Sequence, residues 1–594
     1  MINNIKTLCT TKQIIFLILL LFASLLMAIL EFLSLGSIPI FASALIGGDL
    51  PERLSFINEI EIDFLDLDKS NYLFLGCGIV AALFLFKNIF FGFVVYFENK
   101  VIQIIRSHLG LNLFKFYLSN DYSFHLKTNP AILLRNVEGE VSQTTTVILR
   151  FLKLFREITI LITIFSLLII VNFKITLIIF GALFTFLSIF FILTKKILER
   201  SGKEMQFVRA QKIQHINQSF SAIKDIKVMN KEKYISQLTK KNIDGFEKPF
   251  LLVQVINSLP KLFIETLIVL GVIIFAIIFV ALGKSLLATL PILSLIVVAA
   301  IRLFPSFTAI SGSLIAIKTY RPSYKLVTKE FEKLNLNKAN LKKNLSPLKN
   351  LLFNKSLLFK NVNFSYDADK RLILKDINVE IIRGKKVGII GKSGSGKSTF
   401  VNLLIGLLKP VSGNIYIDNI DVNENLKKWQ SMISYIPQDI YLIDDTIKSN
   451  IAFGIDNRNI DEIKIDKAAE DSRSKDFIKK LPQGFDTLVG DRGTRLSGGQ
   501  KQRIGIARAL YDIKNIIVID EGTNSLDFEN EKNIINNIFL AGKNKTIIMI
   551  SHNHETLKNC DELIIIDEGR ILDKGNYKDL FTKYDFTKFI DDKK

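Results

Sequence analysis

Nine consecutive residues, Gly391-Lys392-Ser393-Gly394-Ser395-Gly396-Lys397-Ser398-Thr399, have the types and spacing to hold phosphate. They fit the pattern G-x-x-x-x-G-K-[ST]. An apolar run, Lys386–Ile390, precedes them and reads as a buried strand; Phe400–Ile405 follows and reads as the first turns of a helix. Glycines let the backbone curl until successive N–H groups face phosphate oxygens, and the helix N-terminus adds partial positive charge there. Lys397 is placed to reach the β- and γ-phosphates, and the Ser398 hydroxyl to ligate Mg2+. Taken alone, the stretch also fits a plain glycine turn between strand and helix.

A second chemical element is Ile516-Ile517-Val518-Ile519-Asp520-Glu521, a strand-like run ending in two carboxylates. Downstream of a phosphate loop such a pair suits ATP hydrolysis. Asp520 would hold Mg2+ directly or through water, and Glu521 would polarise the attacking water as general base. Between the two lies Leu496-Ser497-Gly498-Gly499-Gln500, followed by a helical stretch through Ala509. Ser497 and Gly498 stand where they can cap that helix and offer further N–H donors to phosphate. Leu357–Tyr366 reads as a strand ending in an aromatic face on which a base can stack; a core tyrosine is the competing reading.

Leu496–Gln500 resembles the signature of ATP-binding cassette proteins and is more specific than the phosphate loop. That resemblance implies roles for further residues. Tyr366 is similar to the base-stacking aromatic, and Gln438 to the glutamine that senses Mg2+ and touches the membrane domain. Gly490-Asp491-Arg492-Gly493 is similar to the exporter loop before the signature. Asp527, in Ser525-Leu526-Asp527, resembles the loop crossing the dimer interface. His552, rather than the nearby His554, resembles the switch histidine on the γ-phosphate. The implied catalytic residues are Glu521, His552 and Gln438, and the implied Mg2+ ligands Ser398, Gln438 and Asp520. ATP would be held by Tyr366, the loop Gly391–Thr399, Ser497, Gly498, Gly499, Gln500 and Asp527. Two departures stand out: Gly522-Thr523-Asn524 where the family commonly has Ala-Thr-Ser, and Asn553 where it has Arg. Neither supplies acid, base or ligand, so an altered rate is expected rather than lost activity.

These residues need a scaffold. From Leu357 to the end, short apolar runs alternate with helical patterns, which reads as an α/β P-loop nucleotide-binding domain over 357–594. Residues 321–356 read as an amphipathic extension and linker, and 1–320 as a helical transmembrane domain. Of the 594 residues 49% are hydrophobic, and the mean hydropathy is +0.31. The apolar residues crowd into the first half. The formal net charge of +20 is scattered rather than gathered into a basic motif, so membrane-facing and cytoplasmic surfaces explain it better than nucleic acid. Cys9, Cys77 and Cys560 lack metal-type spacing and do not form a disulfide framework.

Six apolar runs read as spans: Gln13 to about Ile46, Tyr72–Tyr96, Ile158–Val171 extended back through Val147, Ile175–Leu193, Phe250–Leu282 and Leu286–Ser311. Asn172-Phe173-Lys174 reads as a tight turn. Segment 49–70 is acidic, whereas the N-terminus, Lys100–Arg135 and Lys195–Lys248 are basic. Both chain ends are therefore expected on the cytoplasmic side. The acidic segment also carries apolar residues from Leu54 to Leu65, which fit either a surface helix or an ordinary loop. Lys87, Lys261 and Arg302 interrupt the spans, as do Glu31 and Glu265. One reading is a basic translocation cavity for an anionic headgroup. The other is ion pairing, for example Lys261 with Glu265 at i,i+4. Arg302 has no acid one turn away on its own helix, which favours the cavity there.

Six spans followed by one cassette resemble an exporter half-transporter. That resemblance implies ATP and Mg2+ as cofactors and a second copy of the chain as partner, since the signature of one cassette closes over the phosphate loop of another. Ser119–Pro130 and Ser219–Glu232 resemble the coupling helices. The membrane half is similar to the flippases of lipid-linked oligosaccharides, through Glu31-Phe32, Ile132–Val141, Asn172–Thr176, Leu259–Glu265 and Arg302–Ser306. This implies a bacterial cell-membrane flippase moving a polyprenyl-pyrophosphate-linked oligosaccharide outward, with Lys87, Lys261 and Arg302 on its dianionic linkage. The alternatives are export of lipid A, another lipid, a drug or a peptide, and a membrane-anchored ATPase that gates a partner without transport.

Overall fold

The computed structural model describes residues 2–46, 69–171, 173–281, 286–343, 351–367, 371–522, 528–551, 553–586 and 589. The segment from Leu54 to Leu65 lies outside them. The chain divides into two units: Met1–Asn120 with Thr128–Lys343, and Asp121–Lys127 with Asn344–Lys594.

In the first unit the apolar runs become six long helices: α1 (Thr11–Ile46), α2 (Lys69–Leu118), α3 (Val141–Val171), α4 (Phe173–Ser221), α5 (Glu232–Ala281) and α6 (Leu286–Thr319). Stretches long and apolar enough to cross a membrane are Thr11–Ile38, Gly76–Leu118, Thr176–Ser221, Glu232–Ile274 and Val297–Thr319, among the described residues. The expected span Ile158–Val171 is the second half of α3, behind Arg150, Lys153, Arg156 and Glu157. α2 and α5 each have 50 residues. At 1.5 Å per residue each extends about 75 Å, against a hydrocarbon core of about 30 Å. Both must therefore continue well past a bilayer.

All six helices contribute to one apolar core, with Met27 and Leu35 from α1, Val94 from α2, Ile160 and Ile164 from α3, Phe180 and Leu183 from α4, Ile264 from α5, and Leu303 and Phe307 from α6. α4 and α6 touch backbone to backbone at Gly202, where a Cβ would sit 1.9 Å from the Thr319 carbonyl oxygen. A π-helical turn, Arg135–Glu140, leads into α3. It buries Glu140, which accepts from Gln206 Nε2 at 2.6 Å and lies beside Arg135 and Arg209. A seventh helix, α7 (Arg321–Lys343), follows α6. It buries Tyr324, Val327, Phe331 and Leu334, one stripe at helical spacing.

The second unit contains two sheets. An antiparallel sheet has the order β2-β1-β4-β5, with β1 Ser356–Phe364, β2 Leu374–Ile382, β4 Ser412–Ile417 and β5 Ile420–Asp421. The other has the order β10-β9-β3-β8-β7-β6. Its strands are β3 Lys386–Ile390, β6 Ile433–Ile436, β7 Ile516–Asp520, β8 Thr546–Ile550, β9 Glu562–Asp567 and β10 Arg570–Gly575. β9, β3, β8, β7 and β6 run parallel, and β10 is antiparallel to β9. β7 and β8 are buried at every position, which explains their unbroken runs of isoleucine, valine and methionine.

Candidate nucleotide site

Strand register assembles the site. Ile389 of β3 and Asp520 of β7 both pair with Ile550 of β8, and Ile436 of β6 pairs with Ile519. The carboxyl ends of four neighbouring parallel strands are therefore nearly level. The loops leaving them carry Gly391–Thr399, Ser551, Glu521 and Gln438, a crevice position where α/β sheets bind ligands.

The phosphate loop leads into helix α8 (Lys397–Leu404). Gly396 caps it at φ 105°, a left-handed backbone that suits glycine. At Gly391 a Cβ would meet the Ile566 carbonyl oxygen at 2.1 Å. The Lys397 ammonium donates to the carbonyls of Gly391 at 2.7 Å and Lys392 at 2.9 Å, so the loop holds its own cation. Ser398 is exposed. The Ser395 hydroxyl is buried without a hydrogen-bond partner. Tyr366 is half-exposed just after β1, and its hydroxyl lies 3.2 Å from Thr399 Oγ1.

Asp520 is only 4% exposed, and its Oδ1 has no hydrogen-bond partner. Burial first, and the Glu521 charge second, push its carboxyl up from the ordinary 3.8 to about 6; a hydrogen bond from Tyr435 and the Lys397 charge act the other way. The same burial, with Asp520 beside it, pushes the Tyr435 hydroxyl above its ordinary range. Glu521 has a left-handed backbone, φ 51°. Its Oε2 accepts from Gln438 Nε2 at 2.8 Å, so the Gln438 amide oxygen takes no part in that bond. A buried carboxylate oxygen without a donor, a free hydroxyl and an amide oxygen form a hard oxygen donor set, so these residues fit Mg2+.

Gly522 replaces the usual alanine for a packing reason: a Cβ there would stand 2.4 Å from Ile436 Cγ2. Asn553 donates to Glu531 Oε2 at 3.1 Å. His552 and Asp527 lie outside the described residues.

The signature opens helix α9 (Gly498–Leu510) with a capping box. Ser497 Oγ accepts from Gln500 N at 3.3 Å, and Gln500 Oε1 from Ser497 N at 2.9 Å. Ser497 and Gly498 are exposed. The signature is thus a preformed, exposed helix N-terminus, the kind of end at which anions bind.

Short helices lie in both expected coupling segments, Tyr122–Lys127 and Ile223–Val228. The first groups with the second unit. There Asp121 pairs with Lys409 at 2.8 Å, and Lys127 with Asp367 at 3.6 Å, next to Tyr366.

In the first unit three charged residues of the spans, Glu31, Lys87 and Arg302, meet from different helices. Arg302 Nε donates to Glu31 Oε1 at 2.7 Å, and Lys87 Nζ lies 3.5 Å from Glu31 Oε2. The acid that Arg302 lacks on its own helix comes from α1. Lys261 and Glu265 are both exposed and form no ion pair with each other. Spacing along one helix therefore missed Glu31 as the shared partner, and the only signal for it was an acid inside an apolar run.

The ABC transporter family model matches residues 374–524, and the model of the ABC transporter transmembrane region matches residues 14–285. The chain belongs to the ABC transporters. With one transmembrane region and one ATP-binding domain it has the make-up of an exporter half-transporter. The solved structure of a bacterial Atm1-family ABC exporter with ATP bound has the same fold: TM-score 0.75 and 24% identity, over 94% of this chain and 95% of that one. Among curated relatives, an ATP-dependent lipid A-core flippase of Methylobacillus flagellatus is 38% identical over 226 residues, 38% of this chain and 39% of the relative. That of Wigglesworthia glossinidia brevipalpis is 40% identical over 226 residues, again 38% and 39%. ABC transporter B family member 21 of Arabidopsis thaliana is 41% identical over 222 residues, 37% of this chain and 17% of the relative. The matched stretch spans well under half of these relatives.

Proposed function

We propose that the chain is an ATP-driven translocase of a bacterial cell membrane, working as a homodimer with both ends of each chain cytoplasmic. The observation that carries the ATPase reading is the grouping of Lys397, Asp520, Glu521 and Gln438 at three level strand ends, those of β3, β7 and β6. In this reading Lys397 leaves the Gly391 and Lys392 carbonyls for the β- and γ-phosphates of ATP. Tyr366 leaves Thr399 and stacks on the base. Glu521, held by Gln438, takes the proton of the attacking water. Bound Mg2+ would neutralise phosphate charge, with Asp520, Ser398 and Gln438 as the side chains to hold it. His552 and Asp527 complete the γ-phosphate end and the dimer contact. The exposed Ser497–Gln500 cap of one chain closes over the phosphate loop of the other, and that closure moves the membrane helices.

For the substrate we propose a polyprenyl-pyrophosphate-linked oligosaccharide, flipped from the cytoplasmic to the outer leaflet. Support comes from Lys87 and Arg302, two cations on different apolar helices that meet at one point, with Lys261 exposed on α5. A pyrophosphate diester offers a compact dianion to such a group, and arginine suits phosphate through its planar donors. A second reading, a lipid A-type phosphorylated glycolipid, is favoured by the names of the bacterial relatives. The plant relative matches over a similar length at similar identity, so those matches weigh little on substrate.

Sealed vesicles holding the purified protein test both readings. Labelled polyprenyl-pyrophosphate glycan and labelled lipid A are offered separately, and ATP-dependent protection in the far leaflet is measured. Protection of the first lipid supports the proposal, and protection of lipid A alone moves the substrate to the second reading. ATP turnover that moves neither lipid points to a membrane-anchored ATPase acting on a partner.

A further inference from the structure

We infer that Glu31 is a resident competitor for the headgroup site, an internal carboxylate that holds the two cations when no substrate does and takes them back on release. The inference rests on the proposed reading of Lys87 and Arg302 as headgroup ligands.

Glu31 sits on α1 with its side chain 2% exposed. Each of its oxygens faces a cation from a different helix, Arg302 on α6 at 2.7 Å and Lys87 on α2 at 3.5 Å. Arg302 is a quarter exposed whereas Lys87 is largely covered, so an approaching anion meets Arg302 first. The trio carries two positive charges and one negative. In the neighbouring cluster Arg156 binds both Glu98 oxygens at 2.6 Å and lies 3.3 Å from Glu157, which accepts from Ser306, and Lys153 is close enough to act on both acids. Phe91 stands between the two groups, with the Arg302 guanidinium 5.9 Å and the Arg156 guanidinium 5.1 Å from its ring centre. The second cluster has its own acids, so Glu31 alone faces Lys87 and Arg302 among the described ion pairs.

Two cations brought together among apolar helices without an anion are costly, and Glu31 supplies the anion from within the protein. A phosphate headgroup must then compete with a carboxylate already in hydrogen-bonding geometry. Competition lowers headgroup affinity and supplies a replacement ion as the lipid leaves. Both effects favour turnover, because a substrate held too tightly in the ground state gains affinity at the expense of rate.

The test is the lipid dependence of ATP turnover in nanodiscs. The probes are a short-chain polyprenyl-pyrophosphate monosaccharide and, in a separate arm, lipid A. Glu31→Gln is expected to lower the half-saturating lipid concentration roughly tenfold and to lower the maximal stimulated rate as well, with Glu31→Asp returning towards wild type. The same comparison in a Lys87→Gln background, Lys87→Gln against Glu31→Gln/Lys87→Gln, avoids leaving two unpaired cations and is expected to show the same fall. A merely structural Glu31 would lower the rate with half-saturation unchanged or raised, which overturns the inference. If Arg302→Ala loses stimulation while Glu31→Gln leaves half-saturation where it was, the competitor idea falls and the headgroup reading stands. If neither lipid stimulates the wild type, both fall. The arm in which half-saturation drops identifies the phosphate source.

Discussion

Gln438 Nε2 donates to Glu521 Oε2 across 2.8 Å, linking the loop after β6 to the carboxylate after β7. Glu521→Gln keeps an oxygen to accept this bond and removes the carboxylate proposed as base. ATP binding is expected to persist while turnover falls on the order of 10²–10⁴-fold. ATP is then expected to trap a dimer visible by size-exclusion chromatography. Hydrolysis at the wild-type rate would remove Glu521 as base. Gln438→Ala removes this bond without deleting Glu521 and is expected to cost less, roughly tenfold.

Asp520 is a buried carboxyl whose charged form is disfavoured in the fold. Its carboxyl rises from 3.8 to about 6 in the folded chain. The folded state thus binds the proton more tightly, and stability contributed by the neutral acid is lost as pH rises through about 6. At pH 7.5 Asp520→Asn is expected to stabilise the nucleotide-free protein by on the order of 2–3 kcal/mol, a gain that shrinks as pH falls from about 6 to about 4. With Mg2+ and ATP the ranking is expected to reverse, because a carboxylate binds the ion better than an amide. Melting curves with and without Mg-ATP check this, and a variant no more stable than wild type at pH 7.5 would contradict it.

Gly522 can be tested by restoring the common residue. Gly522→Ala places a methyl group 2.4 Å from Ile436 Cγ2, and overpacking of that kind costs about 1–3 kcal/mol. A lowered melting temperature is expected, with the double variant Gly522→Ala/Ile436→Ala losing less than the two single effects summed. Strict additivity would show that the two positions do not share that space.

Lys397→Ala removes the ammonium held by Gly391 and Lys392. Turnover is expected to be lost, and the loop, without its internal cation, to gain hydrogen exchange. Wild-type turnover would overturn the phosphate-loop assignment.

The nucleotide site was legible because its parts are local. A strand, a glycine loop and a helix start lie within Lys386–Leu404, Asp520 and Glu521 close the apolar run of β7, and Ser497–Gln500 open a single helix. Strand order was not legible, and it is what brings Gln438 to Glu521 across 83 residues. The spans were legible as apolar runs, but their continuation into helices of 50 residues was not, because polar helical sequence outside a membrane looks like any other. Least visible was the partner of Arg302. Glu31 is 271 residues away, and helix periodicity reports only neighbours on one helix.

The central claim is that ATP hydrolysis at Glu521 moves a phosphorylated lipid past Arg302. The most direct measurement is ATP-dependent translocation of a labelled polyprenyl-pyrophosphate glycan into the protected leaflet of sealed vesicles, for wild type, Glu521→Gln and Arg302→Ala. The account predicts movement by wild type, none by Glu521→Gln, and at least about a tenfold loss with Arg302→Ala. Equal translocation by wild type and Arg302→Ala, or translocation by Glu521→Gln, would contradict it.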